Sequence, residues 1–269
     1  MKNWTLKGLA AGKATTTWPD SGNDTGQDGV LGMPIFNPKR CSQGCRECVG
    51  VCPTKAISVR MDDLDEVSVW LDYGRCVNCQ LCIESCPTEA LQSSSNLLFA
   101  SKSVTDLRCS DRESAGEVDE LKKRVSSMFK GSLHVRHVDA GSCNGCESEL
   151  VALNNPFYNL HRLGIFFTPS PRFADVLLVT GPLVPQMKDP LLRAWEAMPE
   201  PRFVVAGGTC PIYGAPFDFG YSGGHGLNNF LPVDVFVPGC PPTPAALIHG
   251  LLLLTDRIGQ KVHGGRYEP

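Results

Sequence analysis

With 269 residues, 42% of them apolar and 20% charged, the chain has an ordinary globular composition and length enough for two packed domains. A formal net charge of -3 gives no electrostatic case for nucleic acid. The stretch Met1–Gly8 has charges but no apolar h-region, and the apolar run around Leu247–Leu254 is too short to span a bilayer. The expectation is therefore a reduced, cytoplasmic chain with no membrane span of its own.

Residues 1–36 are rich in Gly, Thr, Asp and Pro and read as an extended arm, with Trp4, Leu6, Leu9, Trp18 and Ile35 as its anchoring points. Residues 37–100 contain an internal repeat. Cys41, Cys45, Cys48 and Cys52-Pro53-Thr54-Lys55-Ala56-Ile57 are matched by Cys76, Cys79, Cys82 and Cys86-Pro87-Thr88-Glu89-Ala90-Leu91. Each half predicts a strand, a cysteine loop, a short helix and a return strand, and Val67, Val69 and Leu71 alternate as a strand requires.

Residues 101–131 read as a charged linker. Ser114 and Glu117 form a capping box, and Val118, Leu121, Val125 and Met128 make a helical stripe. Cys109 lies here outside any motif and reads as a bystander thiol.

From 132 to 269 the pattern becomes α/β. Strands are predicted at Leu133–Val138, Asp175–Gly181, Arg202–Ala206 and Val233–Val237. Helices are predicted at Cys146–Leu153, Pro190–Met198 and from Pro241 to about Ile258, this last one read as core or subunit interface. The apolar run Val176–Val179 marks a strand buried on both faces. The whole predicts a flavodoxin-like parallel sheet covered by helices, behind a bacterial-type two-cluster ferredoxin fold.

Twelve of the thirteen cysteines fall into three sets of four. A [4Fe–4S] cluster needs four thiolates, and Cys-x2-Cys-x2-Cys-x3-Cys-Pro runs give three to one cluster and the fourth to its neighbour. On that logic Cys41, Cys45, Cys48 and Cys86 hold one cluster, and Cys76, Cys79, Cys82 and Cys52 the second. A tetrahedral zinc at each set is the competing assignment, disfavoured by the doubled Cys-Pro pattern. The third set, Cys143, Cys146, Cys210 and Cys240, is dispersed, but its members follow predicted parallel strands, at whose carboxyl ends ligands bind. The repeat resembles bacterial two-[4Fe–4S] ferredoxins over about 60 residues. One departure is the three-residue spacing between Cys41 and Cys45, which Gly44 relaxes; a three-iron cluster is what it would otherwise favour.

Gly141-Ser142-Cys143-Asn144-Gly145-Cys146-Glu147, Gly207-Gly208-Thr209-Cys210-Pro211 and Pro238-Gly239-Cys240-Pro241-Pro242 resemble the small subunit of energy-converting, membrane-associated [NiFe] hydrogenases and the homologous 20 kDa subunit of complex I. The Cys143-x-x-Cys146 spacing is similar to the hydrogenase branch. The N-terminal half, with Thr15-Thr16-Thr17-Trp18-Pro19, resembles the two-cluster ferredoxin subunit of the same complexes, as in formate hydrogenlyase-type assemblies. The resemblance implies an oxidoreductase subunit that relays electrons through three [4Fe–4S] clusters to a nickel–iron site on a large subunit. It also implies a ferredoxin or a formate-oxidising subunit as donor, membrane subunits as further partners, and a peripheral position on the inner face of the cell membrane. No catalytic residue is expected in this chain. A nickel-free relative that reduces quinone or a sulfur compound is the alternative, and a redox-sensing scaffold a third.

Glu147 and Glu149 read first as carboxylates in a helix's first turn, and secondly as a proton relay or interface. His134, His137, His161, His225 and His249 share no ligand spacing and read as structural. Residues 218–229, rich in Gly and aromatics, read as an interface loop.

Overall fold

The computed structural model describes residues 4–20, 25, 29–42, 44–61, 67–110, 132–214, 225–264 and 266–267. The capping box at Ser114, its helical stripe and most of the 218–229 loop lie outside them.

The arm begins with a helix, α1 (Trp4–Ala11), rather than extended chain. Trp4 and Leu9 are 77% and 76% exposed and Leu6 is exposed too, so these three are not buried against the described residues, while Ile35 is exposed as a side chain but held through its backbone. Trp18 does: it is buried among Leu150, Leu153, Leu160 and Leu163. Its carbonyl accepts from Arg162, Thr16 N–H donates to the Phe157 carbonyl at 3.0 Å, and Thr15 Oγ1 to Pro156 O at 2.8 Å. The difference is physical. Trp4, Leu6 and Leu9 have good helix-forming neighbours but stay exposed among the described residues, whereas the Thr-rich stretch uses its hydroxyls and amides to fix the backbone on either side of Trp18.

The repeat folds into β1 (Ile35–Phe36), α2 (Glu47–Val51), β2 (Ile57–Met61), β3 (Val67–Asp72), α3 (Leu81–Glu84) and β4 (Leu91–Gln92). β1 pairs antiparallel with β4, and β2 with β3 in the register Ile57↔Leu71 and Val59↔Val69. Alternation puts Val69 and Leu71 inward, both buried. A third strand, β5 (Arg108–Ser110), pairs with β3, so the sheet takes in residues read as linker; three residues give too short an alternation to read. Cys109 pairs through its backbone with Leu71 there.

The parallel-sheet half starts with β6 (Leu133–Asp139) and α4 (Gly145–Ala152), followed by β7 (Ile165–Phe167), an edge strand whose three residues carry no readable period. β8 (Val176–Thr180), α5 (Pro185–Glu196), β9 (Phe203–Gly207), α6 (Thr209–Tyr213), β10 (Val235–Val237) and α7 (Pro244–Leu254) complete it. A small hairpin, β11 (Val262–His263) and β12 (Arg266–Tyr267), closes the described chain. α5 starts earlier than the predicted Pro190, because Pro185 occupies a first-turn position where its missing N–H costs nothing. Pro190 sits inside the helix and forfeits one backbone bond. α7 starts at Pro244, capped by Thr243 Oγ1 accepting from Ala246 N–H at 3.3 Å. Every residue of α7 is buried, so its leucines are core.

The five strands are parallel and ordered β10-β9-β8-β6-β7. Numbered from β6, that is 2-1-3-4-5, the flavodoxin-like order, with its switch point between β6 and β8. β8 is buried throughout, as its apolar run requires. One face of the sheet (Leu177, Val179, Val204, Ala206) shares a core with the repeat, including Ile57, Leu71, Tyr73 and Cys76. The other (Val176, Leu178, Val205) packs on α7 and Trp18. Ser101 bonds Phe236 in both directions at 2.9 and 2.8 Å, stitching the two halves along β10.

Candidate metal centres

In the repeat, the Cys-Pro-Thr-x-Ala ending builds a sulfur cradle twice. Ala56 N–H donates to Cys52 Sγ and Ala90 N–H to Cys86 Sγ, each at 3.2 Å. Thr54 Oγ1 stands 3.7 Å from Cys52 Sγ, and Thr88 Oγ1 3.9 Å from Cys86 Sγ. The intervening Lys55 and Glu89 both take φ of 52°, the left-handed turn that swings the alanine amide back onto the sulfur. Sequence reading singled out the cysteines but not these donors; the recurring Thr and Ala were the signal. Hydrogen bonds to sulfur are one means by which a protein tunes an iron–sulfur potential.

Mutual repulsion reports which thiols lie together. Burial pushes Cys48 up to about 11, with Cys41, Cys45 and Cys86 adding to it. Cys41 is raised by burial, Cys45 and Cys86. Burial likewise drives Cys76 to about 12 and Cys82 to about 11, and both feel Cys52 and Cys79. Cys82 also feels Cys48, so the two sets are neighbours. Burial raises Cys86 as well, but the amides of Leu91, Thr88 and Ala90 outweigh it and bring the thiol below its ordinary 9.0. A small cavity is lined by Cys52, Cys76, Cys79 and Cys82 together with Pro34 and Leu71. Gly44 has φ of 78° with open space around it, which is how the longer Cys41–Cys45 loop turns.

The third set is gathered by topology. Cys143 follows β6, Cys146 lies in the first turn of α4, Cys210 is in α6 just past β9, and Cys240 follows β10. Burial pushes Cys146 up to about 12, with Glu147, Cys210, Cys240 and Cys143 adding; Cys210 reaches about 12 through burial, Cys240 and Cys143. Gly208, at φ of 105°, lies so close that a Cβ there would stand 3.1 Å from Cys146 Sγ. Cys146 is buried, while Cys143 and Cys240 are exposed, so the set opens on the surface.

Glu147 is held inside this end of the sheet. Its carboxylate accepts from Ser142 Oγ at 2.6 Å and from Thr180 Oγ1 at 2.5 Å, with His137 Nε2 2.8 Å from Thr180 Oγ1 and 3.5 Å from the carboxylate. Burial lowers His137 below the usual imidazole range. Glu149 lies outside that network, its carboxyl raised by burial. His249 is fully buried on α7, its Nε2 3.2 Å from the Gly259 carbonyl, and burial drops it to about 4; His134 pairs with Asp175.

Burial and repulsion from neighbouring thiols raise Cys41 and Cys48, Cys76 and Cys82, and Cys146, Cys210 and Cys240, and a cation would offset that, so each set suits a positively charged metal core. Among the described residues no group of three or more His, Cys, Asp or Glu converges on a single ion.

A model of the 4Fe-4S dicluster domain matches residues 40–90, and one described as NADH ubiquinone oxidoreductase, 20 Kd subunit, matches residues 143–254. A probable membrane-bound hydrogenase subunit mbhJ of Pyrococcus furiosus is 40% identical over 151 residues, 55% of this chain and 90% of that protein. The chain belongs to the NADH ubiquinone oxidoreductase 20 kDa subunit family. Formate hydrogenlyase subunit 7 of Escherichia coli is also 40% identical, over 146 residues, 54% of this chain; the chain spans only 57% of that relative's length. A chain from the membrane-bound sulfane sulfur reductase (MBS), an archaeal respiratory membrane complex, is 33% identical, with 52% of this chain and 78% of that one covered and a TM-score of 0.42. Family membership and the dicluster domain make this an iron–sulfur, electron-transfer member of an oxidoreductase family, with a ferredoxin-type half ahead of the family domain. No helix of the described residues is long and apolar enough to cross a membrane.

Proposed function

We propose that the chain carries three [4Fe–4S] clusters and serves as the electron relay of a hydrogenase-type complex. Cys41, Cys45, Cys48 and Cys86 hold the first, Cys76, Cys79, Cys82 and Cys52 the second, and Cys143, Cys146, Cys210 and Cys240 the third. Each cluster, when bound, supplies a one-electron redox centre, with potentials across such sites spanning about -700 to +450 mV. The chain's own residues set the spacing, screen the sites from water and donate hydrogen bonds to the sulfurs.

One observation carries the reading. Burial raises Cys48, Cys76 and Cys146, the other thiols of each one's own set add to it, and the last set reaches the surface at Cys143 and Cys240. A site exposed at the carboxyl ends of the strands suits a partner subunit seated there. By likeness to the hydrogenase relatives that partner is a large subunit bearing a nickel–iron site, with a ferredoxin or formate-oxidising subunit as donor and membrane subunits beyond. The complex then lies on the inner face of the cell membrane, this chain held there by its partners.

The test is anaerobic purification of the native complex through a tag on this chain, with nickel, iron and hydrogen evolution from a reduced dye measured together. About twelve irons on this chain, nickel in the complex and hydrogen produced are the expected results. Intact clusters with neither nickel nor hydrogen would overturn the hydrogenase assignment and leave a nickel-free relative of the same relay.

A further inference from the structure

We propose that Thr209 is the positioning residue for electron transfer between the two halves, its hydroxyl holding the backbone of Cys76 against Cys210. The proposal rests on the three-cluster reading above. Cys76 belongs to the second set and Cys210 to the third, and the two residues are far apart in sequence. Thr209 Oγ1 nonetheless lies 3.2 Å from the Cys76 carbonyl oxygen, in a contact buried from solvent. The same hydroxyl is 3.1 Å from the Gly239 carbonyl. That oxygen also accepts from Thr209 N–H at 2.9 Å, so the hydroxyl proton is shared between the Cys76 and Gly239 carbonyls. The Gly239 amide approaches the hydroxyl at 3.4 Å as donor, completing its valences.

The surrounding seam is built to keep this contact fixed. Tyr213, on the same short helix as Cys210, is clasped by two arginines of the repeat half. Arg75, next to Cys76, places its guanidinium 4.5 Å from the ring centre, and Arg108 Nη2 donates to the phenol oxygen at 3.0 Å. Arg108 is held in turn by Asp72, 3.3 Å away. Between them Gly74 allows the closest approach, since a Cβ there would stand 2.8 Å from the Tyr213 ring. Cys76 and Ile212 share one core across the seam. At this seam a hydrogen bond ties Cys76 of one half to the residue next to Cys210 of the other.

The route runs from Cys76 Sγ through its own backbone carbonyl, across the bond to Thr209 Oγ1, and along the chain to the adjacent Cys210. Electronic coupling decays more slowly through covalent and hydrogen bonds than across a van der Waals gap, so the hydroxyl both shortens and bridges the gap. No bond forms or breaks: one electron is lost on the Cys76 side and one gained on the Cys210 side. Because the hydroxyl meets a carbonyl and not a sulfur, it governs the rate of transfer and leaves the driving force alone.

The experiment uses the full chain with its clusters assembled, carrying a ruthenium photoreductant on Lys39→Cys, an exposed position beside Cys41 and away from the seam. Flash reduction followed by freeze-quench EPR gives the rate at which the third site is reduced. In Thr209→Val we expect unchanged iron and sulfide content, unchanged midpoint potentials, and a several-fold slower arrival; Thr209→Ser should restore the parent rate. A parent rate in Thr209→Val with all clusters present overturns the proposal alone. A parent chain that binds no third cluster overturns the three-cluster reading and this proposal with it. Should Thr209→Val fail to assemble, Thr209→Ala and Thr209→Ser are compared, and equal rates in those two overturn the proposal.

Discussion

In the N-terminal half, Cys76, Cys79 and Cys82 lie on one loop and the short helix α3 that follows it, and Cys52 joins them from a turn whose twin holds Cys86. In the parallel-sheet half, Cys143, Cys146, Cys210 and Cys240 come from the ends of three strands and meet because the sheet places β6, β9 and β10 side by side around β8. The first arrangement is local: spacing and a repeated five-residue ending determine it, and misplacing a distant strand would not undo it. The second is global, since the set exists only if the strand order is right. A local site should thus tolerate disturbance of the rest of the fold, and a global one should fail with it.

The largest effect should come from removing a ligand. Cys146→Ser is expected to lose the third cluster and stop electron delivery to a partner while the two repeat clusters remain reducible. EPR of the dithionite-reduced chain and iron content check this. Normal turnover by that variant would break the relay as drawn; loss of all three clusters would show that the local sites are not independent of the global one.

Next comes the strap that binds one half to the other. Trp18 precedes the repeat in sequence but is buried in the core of the parallel-sheet half, so Trp18→Ala should cost about 3–5 kcal/mol in denaturant unfolding. Trp4→Ala, at a residue 77% exposed among the described residues, should leave the isolated chain's stability unchanged. Equal losses in the two variants would contradict the docking described.

Gly208→Ala sharpens the comparison further. Its φ of 105° is ground for glycine alone, and a Cβ would crowd Cys146 Sγ, so we expect about 1–3 kcal/mol of strain together with a labile third cluster. Cluster retention during aerobic dilution, followed at the iron–sulfur absorption band, reads it, and the repeat clusters should persist.

How much of this was legible beforehand follows the same division. The cysteine repeat, the Val69–Leu71 alternation and the buried β8 run are local patterns, and each stands where the sequence reading put it. The three-residue strands β5 and β7 carry too little pattern to read. The Arg75–Tyr213 clasp and the Thr209–Cys76 contact join residues well over a hundred positions apart, which nothing in either segment announces. α1 departs from the extended arm that the surrounding glycine and threonine suggest, because Trp4–Ala11 itself contains good helix formers.

A pH-dependent effect separates the metal-free chain from the loaded one. Cys76, Cys146 and Cys210 are each raised from an ordinary 9.0 to about 12, chiefly by burial. A folded value above the unfolded one favours the native state fully below pH 9, and that support is lost as pH rises toward 12, at most about 1.4 kcal/mol per pH unit for each thiol. The urea midpoint of metal-free protein should therefore fall above pH 9. With clusters bound the thiols are already deprotonated on iron, and the alkaline loss should disappear. An alkaline fall of the same size in both forms would mean that these thiols do not hold the clusters.

The smallest change tests Glu147, which sits beside a global ligand yet is tied down locally. Its carboxylate accepts from both Ser142 and Thr180, one on the Cys143 loop and one at the end of β8. Glu147→Gln keeps a single acceptor oxygen and turns an amide toward the other hydroxyl, so about 1 kcal/mol of stability should be lost. Glu149→Gln, outside that network, should cost nothing measurable. If Glu147 only braces the loop, turnover in the complex should follow the small stability loss and its pH profile should not move. A shifted pH profile with clusters intact would instead assign Glu147 to proton movement, and the brace between the Cys143 loop and the end of β8 would then be the means of holding that group in place.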